Sequence, residues 1–207
     1  MDEIIIGTTN KAKVQQIRAA LADLDVVVKG INDGLLLPEV VEDGLTAVDN
    51  ARKKALAYSK ALDQMVLSMD NALYIDGLKD EAQPGLHVRR VNHSHEAATD
   101  NELIEHYMKI ITSLGGAATG HWEFGVCIAR PNGLLVATNL KSPNRIFTTV
   151  VDSGFVPGYP LDSMQIEPIS GKYFSQMRSD ETDKFWQVTI GKELCDFVSS
   201  VLQSEKK

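Results

Sequence analysis

Cysteine is scarce in this chain: Cys127 and Cys195 are the two among 207 residues. Their separation matches neither a metal-binding nor a redox motif, which excludes a disulfide scaffold or a zinc ribbon as the source of stability. No stretch approaches the run of about 18 apolar residues that a membrane-spanning helix requires. Positive charge is also in deficit. Lys and Arg number 21 against 28 Asp and Glu, a net charge of −7, and such a field opposes non-specific binding to nucleic-acid polymers or to anionic membranes. The opening Met-Asp-Glu-Ile-Ile-Ile lacks the basic flank and longer apolar core of a secretory signal, so a cytoplasmic location is expected. Internal repeats and low-complexity linkers are absent from the pattern. What remains is a chain 43% apolar, large enough to bury roughly 70% of its unfolded surface without staples. One domain over 1–207 is the expectation.

The hydrophobic pattern alternates between strand and helix in the first half. Glu3–Gly7 reads as a short buried strand ended by Gly, and Thr8-Thr9-Asn10 then suits a helix N-cap. Val14, Ile17, Leu21 and Leu24 follow at helical spacing, and Asp25–Lys29 forms a second strand, making a βαβ unit with parallel strands. Residues 32–44 read as loop with a short strand-like piece. A helix is predicted from about Thr46 to Leu62, with Val48, Ala51, Ala55, Tyr58 and Leu62 on one stripe. Met65–Met69 is a further strand with Asp70 just past its end. Residues 76–100 read as irregular around a Pro84-Gly85 turn, and a third helix carries Leu103, Tyr107, Ile110, Ile111 and Leu114 up to Gly115-Gly116.

The second half reads as antiparallel: Trp122–Arg130 and Leu134–Leu140 flank a Pro131-Asn132-Gly133 turn, and Arg145–Val151 adds a strand. Residues 152–184 are turn-rich and carry no clear periodicity. Leu194, Phe197, Val198, Val201 and Leu202 mark a C-terminal amphipathic helix with a frayed end at 203–207. The expected class is therefore α/β, with an elongated mixed central sheet, helices on both sides, and two lobes.

Three segments could carry chemistry. In Gly7-Thr8-Thr9-Asn10-Lys11-Ala12-Lys13 a buried strand delivers a polar turn to a helix start, where free N–H groups favour an anion and Lys13 adds a point charge. A capped helix with a surface lysine produces the same pattern, and no Walker-type G-x-x-x-x-G-K-S/T occurs. Beyond Glu42-Asp43-Gly44, the helical stripe separates two lysines. At about 100° per residue Lys53 points away from the stripe, whereas Lys54 sits on its flank and could reach a cleft or simply snorkel. Asp70, with Asn71 beside it, stands at the ligand-binding edge of a parallel region. Together Glu42 and Asp70 would make a hard oxygen site suited to Mg²⁺, unless each merely caps a turn. His87, His93 and His95 cluster without zinc spacing and read as loop residues. Gly154-Phe155 through Tyr159-Pro160 is either a rigid aromatic loop shaping a pocket for a planar base or a turn, while Trp122, Phe124 and Trp186 read as core.

Taken in order, these segments resemble the inosine triphosphate pyrophosphatase family. Thr8-Thr9-Asn10-Lys11-Ala12-Lys13 is similar to its T-x-N-x-x-K opening. Glu42-Asp43-Gly44-Leu45-Thr46, Asp49-Asn50-Ala51 and Lys54-Ala55 are similar to its E-x-G-x-T…E-N-A…K-A block. Asp70 and Leu73 match D-D-S-G-L, Pro84-Gly85 and Arg90 its P-G…S-A-R turn, and Phe124 a further position. Lys184 lies where that family keeps a lysine before its final helix. The likeness spans nearly the whole chain and is densest over residues 3–90. It implies two α/β lobes with a cleft between them, a homodimer, and hydrolysis of a nucleoside triphosphate to monophosphate and pyrophosphate with Mg²⁺. By the same resemblance Thr8, Thr9, Asn10 and Lys13 cradle phosphates, Lys54 and Lys184 neutralise them, and Asn71 and Phe155 belong to the substrate-binding set. Glu42 and Asp70 would hold Mg²⁺, with Asp70 helping to activate water. Met69, Asn71 and Ala72 replace the first Asp, the Ser and the Gly of D-D-S-G. Val188-Thr189-Ile190 stands in place of the S-H-R that reads a purine's 6-oxo edge, which leaves the preferred base open. A nucleotide-binding relative with weakened catalysis and a regulatory role is the alternative reading.

Overall fold

The computed structural model describes residues 2–31, 37–91, 98–154, 156 and 158–203. Phe155, His93, His95, residues 204–207 and part of the 32–44 loop therefore lie outside the described residues. The strands β1 (Glu3–Ile6), β2 (Val27–Gly30), β3 (Val66–Ile75), β4 (Ala117–Ala129), β5 (Leu135–Lys141), β6 (Arg145–Thr148) and β7 (Gln165–Ile166) form a mixed sheet in the order β2-β1-β3-β4-β6-β7, with β5 pairing to β4. Two compact units emerge: the first from Met1–Asn71, Glu123–Lys141 and Asp183–Lys207, the second from Ala72–Trp122 and Ser142–Thr182.

The first unit is built outward from β1 (Glu3–Ile6). Its Ile4 and Ile6 are fully buried, and it pairs in parallel with β2 (Val27–Gly30) and with β3 (Val66–Ile75). The intervening helix α1 (Lys11–Ala20) starts where the sequence predicts, because the Asn10 side chain accepts from the Ala12 and Lys13 amides and so satisfies two otherwise free donors. Helix α2 (Ala47–Leu62) begins at a capping box in which Thr46 and Asp49 bond reciprocally. Small residues set its approach to the sheet: Ala51 and Ala55 pack on Cys127 and Ala129 of β4 (Ala117–Ala129). At Gly125 a Cβ would lie 2.1 Å from the Ala47 carbonyl carbon, so only glycine lets the start of α2 lie against that strand. Strand β5 (Leu135–Lys141) pairs antiparallel with β4. Helix α4 (Ser179–Trp186), a π-turn at Gln187–Gly191 and α5 (Lys192–Gln203) follow one another, with Leu194, Val198, Val201 and Leu202 of α5 buried.

In the second unit α3 (Asp100–Ser113) lays Leu103, Tyr107 and Ile111 on Leu73, Ile75, Phe147, Leu161 and Met164. Strand β6 (Arg145–Thr148) pairs antiparallel with the first half of β4 and with β7 (Gln165–Ile166). A buried polar group lies beside this core. The Arg145 guanidinium stands 4.0 Å over the Phe174 ring, donates to Gln165 Oε1 at 2.9 Å, and lies 3.9 Å from Asp162 Oδ1. Gln165 Oε1 also accepts from Trp122 Nε1 at 2.8 Å.

Four readings need correction. Strand β3 runs on to Ile75, so Asp70 is a mid-strand residue and not one beyond the end. The polar pair Asp70-Asn71 looks like a terminus, yet Ala72, Leu73 and Ile75 beyond it are buried and continue the pairing surface. Strand β4 starts at Ala117, five residues earlier than Trp122, and β6 stops at Thr148. Part of the stretch without periodicity, from Ser179, is helical.

Candidate active site

The cluster grows from three local features of the first unit. The N-cap of α1 fixes the first helical turn, which carries Lys13. The capping box of α2 sets the helix phase, and that phase buries Lys54 while leaving Lys53 exposed beside Asp43, as the stripe geometry predicts. Strand β3 supplies Asp70. Lys54 Nζ donates to Glu42 Oε2 at 3.0 Å and to Asp70 Oδ1 at 3.2 Å. Lys13 Nζ lies 3.9 Å from the same Asp70 oxygen. Asn50, 3% exposed, donates from Nδ2 to Asp70 Oδ2 at 3.0 Å and accepts the Gly44 amide on Oδ1 at 2.8 Å. Two acids and two lysines thus share one neighbourhood within the first unit.

Burial and the neighbouring Lys54 push the Lys13 ammonium down to about 8, against the pull of Asp70 and Glu42. An arriving polyanion would favour its charged form. Tyr58, one turn along α2, packs its ring near Gly7, where a Cβ would meet Tyr58 Cδ2 at 3.1 Å. Its hydroxyl is pushed up by burial, with Lys54 opposing and Glu42 assisting. The donors fit a hard cation by their chemistry: two carboxylate groups converge on a single ammonium, and Mg²⁺ is typically held by one or two carboxylates with water and phosphate oxygens completing the shell. Among the described residues no group of three or more His, Cys, Asp or Glu is gathered as a metal cage.

Other sequence-derived candidates are placed differently. Thr8 Oγ1 accepts the Asn10 amide at 3.2 Å, tightening the turn into α1. Thr8 and the exposed Thr9 line a cavity of about 420 Å³ with Lys11, Gln15, Arg18 and Gly30, on a face of α1 other than the one bearing Lys13. Asn71 follows Asp70 on a strand, where successive side chains face opposite ways. Its Oδ1 is buried without a hydrogen-bond partner among the described residues. Lys184 is exposed and makes no ion pair among the described residues, while its neighbour Asp183 accepts from Gln15 Nε2. Where a purine-reading motif was expected, Val188 is exposed, Ile190 is buried, and the Thr189 hydroxyl is spent on the Phe185 carbonyl at 2.6 Å.

Sequence reasoning quoted Asn50 as part of a motif without giving it a place in the site. The available signal was the spacing of Gly44 and Asn50 ahead of an acid, but its bond to Asp70 spans 20 residues and cannot be read from local pattern.

A family model described as the Ham1 family matches residues 4–185. The dITP/XTP pyrophosphatase of Syntrophobacter fumaroxidans is 32% identical over 184 residues, covering 87% of this chain and 75% of that protein. The dITP/XTP pyrophosphatase of Streptococcus pyogenes serotype M6 is 27% identical over 185 residues, covering 88% of this chain. The chain spans 54% of that relative's length. The solved structure of a HAM1 protein from Coxiella burnetii superposes with a TM-score of 0.73 over 97% of this chain and 100% of its own, at 19% identity, a likeness of fold. The first strand, its capped turn and the acid-lysine cluster thus lie inside the matched span, and the chain belongs to the Ham1 family.

Proposed function

We propose that this chain hydrolyses nucleoside triphosphates of the dITP/XTP class to the monophosphate and pyrophosphate, with Mg²⁺. The observation that carries the reading is the convergence of Lys13, Lys54, Glu42 and Asp70, because two ammonium groups beside carboxylates able to hold a divalent cation would together supply the local positive charge that a polyanion needs in an acidic protein. The names of the matched relatives support the substrate class. Lys13 and Lys54 would bind the phosphates, and the Asn10 cap, which takes up the Ala12 and Lys13 amides, would hold the first turn of α1 that carries Lys13. Glu42 and Asp70 would hold Mg²⁺, which when bound neutralises developing phosphate charge. Asp70, kept in place by Asn50 and Lys54, would orient the water that attacks the α-phosphorus. As that bond forms, the bond to the bridging oxygen breaks and pyrophosphate leaves with both electrons. The test is pyrophosphate release with Mg²⁺ across dITP, XTP and the common triphosphates. Turnover is expected on at least one, falling at least ~100-fold in Asp70→Asn. Absence of release from every nucleotide overturns the reading. The family resemblance also supports a homodimer, which sedimentation would reveal.

A further inference from the structure

Asn50 is 3% exposed and carries a neutral side chain in the midst of charged ones. Both ends of its carboxamide are engaged, and each end fixes the orientation of the other. The Gly44 amide requires an acceptor, so Oδ1 faces it at 2.8 Å. The remaining Nδ2 then meets Asp70 Oδ2 at 3.0 Å, leaving Asp70 Oδ1 to Lys54 and Lys13. Gly44 lies two residues from Glu42 and approaches Asn50 so closely that a Cβ there would lie 2.6 Å from Asn50 Oδ1 and 2.7 Å from Asp49 Cβ.

Few other side chains at position 50 satisfy both demands. Aspartate would accept from Gly44 but set a second negative charge against Asp70, whereas alanine offers neither group. We infer that Asn50 is a positioning residue whose single carboxamide ties the Glu42–Gly44 segment to the Asp70 carboxylate, and so sets the separation of the two acids that would share a divalent cation. This rests on the proposed function, in which Glu42 and Asp70 hold the metal.

Two variants break the tie at opposite ends. Asn50→Asp keeps the acceptor for Gly44 and removes the donor to Asp70, while Gly44→Ala forces the loop away and leaves Asn50 and Asp70 chemically intact. Titration of the nucleotide-free protein with Mn²⁺, followed by electron paramagnetic resonance, reads metal affinity without turnover. Steady-state assays give the half-saturating Mg²⁺ concentration, kcat and the nucleotide KM, and thermal unfolding checks the fold.

Either variant should weaken Mn²⁺ binding and raise half-saturating Mg²⁺ by roughly 10–100-fold, the range seen when partners of metal ligands are lost. Nucleotide KM at saturating Mg²⁺ should move less than about threefold, so the loss falls on kcat and metal. If Asn50→Asp does not fold, Gly44→Ala carries the same test. A folded, active variant with wild-type Mn²⁺ affinity and Mg²⁺ dependence, altered in melting temperature alone, overturns the inference while leaving the proposed function standing. A wild-type protein that neither binds Mn²⁺ nor releases pyrophosphate overturns both.

Discussion

Lys13 and Asp162 are half-buried ionisable groups, and the loss of water around each drives it towards its neutral form, Lys13 down to about 8 and Asp162 up to about 6. For Asp162, desolvation outweighs the opposing Arg145 charge. Its folded pKa lies above the unfolded value of 3.8, so between these values the native state holds a proton that the unfolded chain has released. Its contribution to stability is full below about pH 3.8 and is lost as pH rises through about 6. Asp162→Asn stays neutral at every pH. Denaturant titrations should therefore show wild type losing up to about 3 kcal/mol relative to the variant between about pH 4 and 6.5; a flat difference would refute the shift. At Lys13 the expected loss is one of ligand binding: Lys13→Met should raise nucleotide KM roughly 10–100-fold, the worth of a charged hydrogen bond. Residue chemistry was legible where helix phase alone decides it, as for buried Lys54 against exposed Lys53. It was not legible for Asn50, whose partner is distant in sequence, nor for the exposure of Lys184, which depends on where α4 lies.

The helices were readable because their ends are written in side chains. Thr46 with Asp49, Thr99 with Glu102, and Asn10 each satisfy helix amides from the cap position. Thr46→Ala should cost about 1 kcal/mol in thermal or denaturant unfolding. A larger effect is expected at Gly125, where a methyl group would strike the Ala47 backbone. Gly125→Ala should destabilise by about 1–3 kcal/mol and lower activity as well, because the displaced helix carries both Asn50 and Lys54. Helix α5 was readable from its apolar stripe alone, whereas elements with neither a cap nor a clear apolar pattern were missed. The extension of β3 past Asp70 is disguised by its polar pair, and α4 buries Trp186 alone among its residues, too little for a periodic signal.

Across the whole molecule, family and α/β class were legible because the matched motifs fall in capped, tightly constrained turns, whereas the 152–184 region has few such constraints. The net charge of −7 leaves phosphate attraction to the local lysines, so binding and turnover are separable properties. A thermal-shift experiment on Asp70→Asn with a triphosphate at 100 times its Kd should show stabilisation of about 2.7 kcal/mol, or about 5–10 °C. The same shift in wild type without pyrophosphate release would favour a regulatory binding protein over an enzyme.

Neither unit is a continuous stretch of chain, and the path passes between them at 71–72, 122–123, 141–142 and 182–183. During synthesis every acid and lysine of the cluster has therefore been translated by residue 70, while the closing segment of the same unit begins only at Asp183. At about 5–20 residues per second, several seconds separate the two. For that interval the nascent polypeptide carries these charged groups on a unit whose closing helical segment from Asp183 has not yet been made.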